Sequence, residues 1–489
     1  MPATRQASAS PTPGALELRA RRLDAPHDAE LAFVDLCGHS ENAFWLDSAM
    51  GGPYGRFSFI GDASGPRAAV VTYDVDAGEV RVERGGEVEV LRESIFDFLG
   101  REMWRLRHLS TELPFGFDCG FAGYLGYELK ADCDGDAAHT SPLPDAAFVF
   151  ADRLIAFDHV ERRTWLLCLA EPEAAAEAER WFEETGRRLV SLSPLPELEP
   201  AQTSDGAPLP EFRLRRPRER YLGDIAACQR RLRVGETYEV CLTNQVVAEA
   251  APDPLELYRR LRRVNPAPFG AFLRFGDTAV LSSSPERFLR IGRDRWAESR
   301  PIKGTSRRGA TPAEDERLAD ALRGDEKSRA ENVTIVDLVR NDLGIVCEAG
   351  SVHVPELMRV ETYETVHQLV STVRGRLRDD VAPPDCVRAC FPPGSMTGAP
   401  KKRTMEILDE LEGEARGPYS GAIGWLGLGG GCDLSVAIRT IVLDGESTTI
   451  GAGGAIVLDS DPEREHEEML LKAAAPMAAL SSCRRSLDG

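Results

Sequence analysis

One stretch divides this chain. Ser191 to Pro210 (SLSPLPELEPAQTSDGAPLP) is dense in Pro, Ser and Glu, and such a composition reads as a semi-extended linker or a long surface connection. The organisation expected around it is a disordered tail over 1–14, an N-terminal part over 15–190, a linker over 191–212 and a larger part over 213–489. The N-terminal part holds short β-like runs at Phe57–Ile60, Ala68–Tyr73, Val80–Val82, Ala147–Phe150, Leu154–Phe157 and Thr164–Leu169, and an amphipathic helix near Glu171–Val190. In the larger part the pattern predicts strands at Glu239–Val247, Phe269–Phe275, Thr278–Ser283, Ser420–Leu428, Ser435–Val442 and Thr449–Val457. Helices are predicted at Pro217–Arg233, Pro254–Val264, Pro312–Arg323, Glu326–Asp342, Pro384–Cys390, Pro400–Glu412 and Pro462–Ala475. There is no regular repeat, and helices do not alternate strictly with strands. An α+β sandwich therefore fits better than a doubly wound sheet.

Composition limits the partners. The 489 residues carry 59 basic and 79 acidic side chains, a net charge of −20. That field argues against nucleic acid or an anionic membrane as the main partner, although one local basic pocket can still hold an anion. No apolar run approaches a membrane span. The 11 cysteines are odd in number and scattered from Cys37 to Cys483, which is no disulfide framework. Met1–Gly14 has no apolar core of a secretory signal, so a reducing, cytoplasmic setting is expected. Cys386 and Cys390, at i,i+4, read as buried packing, because zinc would need further ligands at suitable spacing.

Five segments carry chemistry. On the helix after Asp325, Glu331, Ile335, Leu338 and Asp342 fall on one stripe. Glu331 reads either as the end of a Ser328-x-x-Glu331 capping box or as an inward carboxylate that needs a cation. After the Asp461-Pro462 start, Glu465, Glu468, Met469 and Lys472 share a face. Exposed Glu at this spacing is common, but two inward carboxylates from separate helices also suit Mg²⁺. Phe391–Lys402 sets Gly394, Ser395, Thr397 and Gly398 before a helix, with Lys401 nearby, as a turn or an anion cradle; Gly451-Ala-Gly-Gly454 follows the same logic. Neither is a P-loop. Lys303, in Pro301-Ile-Lys-Gly-Thr305, reads as a surface lysine or as a nucleophile. Neutralising an ordinary lysine at pH 7 costs about 4.6 kcal/mol, which a site would have to supply.

Taken together these segments resemble the chorismate-utilising enzymes, the family of anthranilate synthase and aminodeoxychorismate synthase component I. Ser284-Pro-Glu-Arg-Phe288, Pro301–Thr305, Glu331–Leu343, Val366–Ser371, Phe391–Lys401, Gly417-Pro-Tyr-Ser-Gly421, Ala437-Ile-Arg-Thr440, Gly451–Ile456 and Asp459–Lys472 carry the resemblance in family order. The first half matches more weakly, through Phe44–Ser48, Gly55–Phe59 and Gly120–Tyr127. The resemblance implies a sandwich of β-sheets flanked by helices, with the N-terminal part packed on the catalytic part.

It also implies roles. Lys303 would attack C2 of chorismate, Glu286 would protonate the departing 4-hydroxyl, and His367 would face the reacting ring. Arg439, Tyr419, Thr305, Glu239 and the Gly451, Gly453 and Gly454 amides would contact substrate. Glu331 and Glu468, with Glu465 nearby, would hold Mg²⁺, and Ser48 would mark a tryptophan site. Lysine at 303, where anthranilate and isochorismate-type enzymes usually have alanine, points to 4-amino-4-deoxychorismate as product, for p-aminobenzoate supply. Anthranilate synthase component I is the alternative, and an inactive amino-acid-binding homologue the second. Ammonia would come from a separate glutamine amidotransferase subunit, since no nucleophile-Cys elbow appears. Glu239 stands where related synthases usually have Gln, Ser328 where an acidic residue often follows the lysine, and Asn332 where His is frequent in anthranilate synthases.

Overall fold

The alternation of apolar residues in Asn42–Asp47 sets the layering. Phe44 joins one hydrophobic cluster and its neighbour Trp45 the other, as expected of a strand buried on both faces. In the computed structural model, which describes residues 16–48, 55–108, 112–196, 198, 211–363 and 366–483, two twelve-stranded antiparallel sheets lie face to face. One cluster fills the space between them and continues under the helices Ile95–Arg105, Glu326–Val346 and Pro383–Cys390. The second cluster lies between the outer face of the first sheet and the helices Ala29–Leu36, Ala175–Val190, Arg218–Arg233, Pro254–Val264, Lys401–Glu412 and Pro462–Ser481. This is the expected α+β sandwich flanked by helices.

The N-terminal part joins the larger part by strand pairing in both sheets. Strand Asn42–Asp47 pairs with Phe269–Phe275 in the first sheet, and Gly120–Leu125 pairs with Ala422–Gly427 in the second. Both sheets are therefore continuous across the two halves of the sequence. The expected tail lies outside the described residues, as does most of 191–212.

The predicted strand Ser435–Val442 is two strands. Cys432–Val436 belongs to the second sheet, and Thr440–Leu443 pairs with Thr278–Ser284 in the first. The chain changes sheet at Arg439, whose φ of 53° breaks the extended run. A second crossing lies beside it. Thr278–Ser284 is in the first sheet and Arg287–Ile291 in the second, with Glu286 between them. The Val436 amide donates to the Glu286 carbonyl at 3.0 Å, and the Ser283 amide to the Arg439 carbonyl at 3.2 Å. Two side chains singled out from the sequence thus sit at one seam between the sheets. The described cysteines are all free thiols, Cys386 and Cys390 among the buried ones. No helix among the described residues is long and apolar enough to cross a membrane.

Candidate active site

The seam opens onto Lys303. It lies on the edge strand Ile302–Arg307 of the second sheet, where the register with Val366–Arg376 shifts between Ile302 and Thr305. Gly304 has a φ of +93°, and a Cβ there would meet the Ser328 hydroxyl at 2.7 Å. Small residues at 304 and 328 let this strand close against the helix Glu326–Val346. The Lys303 ammonium is buried and donates to Glu239 Oε1 at 2.6 Å. Burial alone pulls its pKa down, but Glu239 and then Glu331 outweigh that and hold it above the ordinary lysine value. The resting lysine is an ammonium ion, not a free amine.

Glu286 has the opposite setting. It is buried at the crossing, and desolvation raises its pKa to about 7, with Ser395 and Lys303 pulling the other way. A carboxylic acid of that strength carries a proton near neutrality and can give it to a leaving group.

Three further carboxylates border the cleft. Glu331 is not part of a capping box: Asp325 is the N-cap, accepting from the Ser328 amide at 2.8 Å. Glu331 is instead largely buried, and that desolvation raises its pKa. Glu465 is buried, and Lys327 donates to its Oε1 at 2.7 Å while standing 3.7 Å from Glu331. Glu468 is exposed at the rim, not turned fully inward, and pairs with Lys472 at 2.7 Å; partial desolvation would raise its pKa, yet Lys472 holds it below the usual value. Among the described residues no three His, Cys, Asp or Glu side chains converge as a metal cluster. The donor chemistry nevertheless fits a hard divalent cation: the donors are carboxylate oxygens, a lysine ammonium stands between two of them, and Glu465 Oε2 is buried without a hydrogen-bond partner.

The glycine strand Thr448–Ile456 serves two purposes. A Cβ on Gly451 would lie 2.1 Å from the base of the Tyr419 ring, so this glycine is the seat of that buried tyrosine. Lys472 Nζ donates to the Gly453 carbonyl at 2.8 Å, and Arg439 Nη1 donates to the Lys472 carbonyl at 2.5 Å. Gly454 leaves room for Glu465 Oε2, which a Cβ would approach to 3.4 Å. Arg439, Lys472, Glu468 and the Gly453–Gly454 backbone therefore form one connected wall.

Other expected residues lie apart from these contacts. His367 is buried with one ring nitrogen 2.9 Å from Thr362 Oγ1 and the other 2.9 Å from Asp315 Oδ1. Thr305 is exposed. Lys401 donates to Asp342 at 2.6 Å and to the Cys390 carbonyl at 2.8 Å, so it braces two helices and is not free for an anion. Ser48 donates to the Phe57 carbonyl at 2.7 Å and lines a cavity of about 660 Å³ together with Asp47, Phe59, Arg287 and Trp425. Sequence reasoning missed Lys327. Its i,i+4 spacing to Glu331 was the available signal.

A family model described as chorismate binding enzyme matches residues 59–478. The chain belongs to that family. Aminodeoxychorismate synthase of Streptomyces pristinaespiralis is 51% identical over 477 residues, covering 96% of this chain and 66% of the relative. The chain thus spans just under two thirds of that relative's length. Anthranilate synthase component 1 of a Synechocystis strain is 35% identical over 476 residues, covering 92% of each. Among solved structures, anthranilate synthase component I from Streptococcus pneumoniae matches with a TM-score of 0.73 at 29% identity, over 86% of this chain and 92% of that one.

Proposed function

We propose that this chain is an aminodeoxychorismate synthase component I, converting chorismate and ammonia to 4-amino-4-deoxychorismate for p-aminobenzoate supply. The observation that carries the reading is a buried lysine at 303 close enough to a buried carboxylic acid, Glu286, to act on its charge. The higher identity to aminodeoxychorismate synthase, 51% against 35% for the anthranilate enzyme, supports it.

Lys303 forms a bond from its nitrogen to C2 of the ring. The ring double bonds shift and the C4–O bond breaks, with the Glu286 proton converting the departing hydroxyl to water. Ammonia then adds at C4 and the C2–N bond breaks, returning the lysine. Covalent catalysis divides one difficult displacement into two easier ones. Arg439, Tyr419 and the Gly453–Gly454 backbone would hold the substrate carboxylates. Glu331, Glu465 and Glu468 would hold Mg²⁺, whose charge, when bound, offsets that of a substrate carboxylate. Ammonia would arrive from a glutamine amidotransferase. The Ser48 cavity would take tryptophan, an assignment that a silent calorimetric titration with that amino acid would remove.

The test is product identity. Purified protein with chorismate, Mg²⁺ and ammonium should give the 4-amino product by mass and fluorescence, and Lys303→Ala should lose or greatly slow its formation. Anthranilate as the product would overturn the reading, as would a Lys303→Ala variant running at the wild-type rate.

A further inference from the structure

The ion pair that holds Lys303 also poses a question of proton flow. An ammonium ion has no lone pair, so Lys303 must shed a proton before it can attack. The first residue of strand Glu239–Ala248, on the first sheet, faces a lysine on the edge of the second; the pair closes the sandwich at 2.6 Å. Both groups are buried, with the Glu239 residue 1% exposed and Lys303 9%. Among the described residues Glu239 is the one carboxylate within 4 Å of Lys303 Nζ. Its second oxygen, Oε2, is buried without a hydrogen-bond partner, which leaves acceptor capacity on a group already touching the nitrogen. The other ionisable groups acting on Lys303 do so from farther away. They are Glu331 from the helix Glu326–Val346, Glu286 from the sheet crossing, Glu468 from the helix Pro462–Ser481, and the Cys241 thiol on the Glu239 strand. Glu286 begins the cycle protonated and gives that proton away, so it is not free to accept another.

We propose that the Glu239 carboxylate takes the Lys303 proton as the amine attacks and returns it when the amine leaves. This rests on the covalent role of Lys303 proposed above. The protons balance. Glu239 becomes a carboxylic acid as Lys303 becomes an amine, and the C2–N bond forms as the C4–O bond breaks, water leaving with the proton of Glu286. When ammonia adds at C4, the Glu286 carboxylate takes the surplus proton of the new ammonium group. The C2–N pair returns to the lysine nitrogen, and Glu239 reprotonates it. Both glutamates finish as they began, and the net change is ammonia in and water out.

The experiment follows the lysine–substrate adduct by rapid quench and intact mass, with chorismate and Mg²⁺ but no ammonia, from pH 5.5 to 8.5. Wild-type adduct formation should be flat below neutrality, because the proton moves within the site. Glu239→Gln should show a new limb that falls as pH drops, about 100-fold slower than wild type at pH 6, the range of a lost general base. Glu239→Asp, which keeps the carboxylate, should restore the flat profile at a lower rate. Acetylation of Lys303 without substrate, followed against pH by peptide mass, should titrate at the pH of the new limb and at lower pH than in wild type. A Glu239→Gln profile that superimposes on wild type overturns the assignment. Absence of any wild-type adduct while the 4-amino product still forms overturns the covalent role itself, a separate and recognisable failure.

Discussion

At the scale of single residues, burial sets Glu286 and Lys303 on opposite courses from the same cause. Desolvation disfavours both charged forms. For Glu286 it prevails, and the pKa rises from 4.5 to about 7; for Lys303 neighbouring carboxylates overcome it. A carboxyl whose folded-state pKa exceeds its unfolded value binds its proton more tightly when folded. Stability is therefore lost as pH rises from about 4.5 through about 7, by about 3 kcal/mol in full. Glu286→Gln should melt at a higher temperature than wild type at pH 8 and at nearly the same temperature at pH 4, while losing turnover. The wild-type kcat/KM should itself decline as pH rises through about 7, where the acid gives up its proton. Equal melting temperatures at pH 8 would show that this carboxyl carries no such strain. The sequence offered Glu286 by motif; its acid strength depends on atoms that only folding brings around it.

At the scale of elements, the site hangs on connections more than on regular structure. The strand patterns were legible: Phe269–Phe275 and the helix Pro254–Val264 match their predicted bounds, since local periodicity reports which face is buried. The break inside Ser435–Val442 was not legible, because Ser435-Val-Ala-Ile-Arg-Thr-Ile-Val-Leu443 suits an extended chain throughout and only the presence of two sheets makes it cross. Gly451 is similar. Its sequence context suggested a backbone contact to substrate, and folding adds a further role, since its missing side chain makes the seat for Tyr419. Gly451→Ala should push that ring from its place, lowering kcat/KM by at least about tenfold and stability by about 1–3 kcal/mol, as overpacking does. Steady-state kinetics beside thermal denaturation would check it, and wild-type values in both would mean that Tyr419 is not held by this contact.

At the scale of the whole molecule, the linker divides sequence and not structure. The pairings Asn42–Asp47 with Phe269–Phe275 and Gly120–Leu125 with Ala422–Gly427 stitch the halves into both sheets, and one core cluster takes residues from each. A protease site placed within 199–210 should therefore yield two fragments that co-elute on gel filtration in native buffer and part only in denaturant. Separation without denaturant would restore the picture of two packed units. The net charge of −20 behaves likewise as a global quantity with little local meaning. The cleft assembles Lys303, Lys327, Lys472 and Arg439 beside five glutamates, and it is this neighbourhood that decides what an anion meets.

Sequence alone determined the α+β class, most of the helices, about half of the strands and the family, and it named the candidate site residues, because periodicity and ordered motifs are properties of neighbours along the chain. Tertiary structure decided which carboxylate touches Lys303, that Glu286 is an acid near neutrality, that Lys401 is a brace, and that the halves share their sheets. Each of these turns on desolvation or on contacts between residues far apart in sequence, Glu239 and Lys303 being 64 positions apart, and neither quantity exists until the chain has folded.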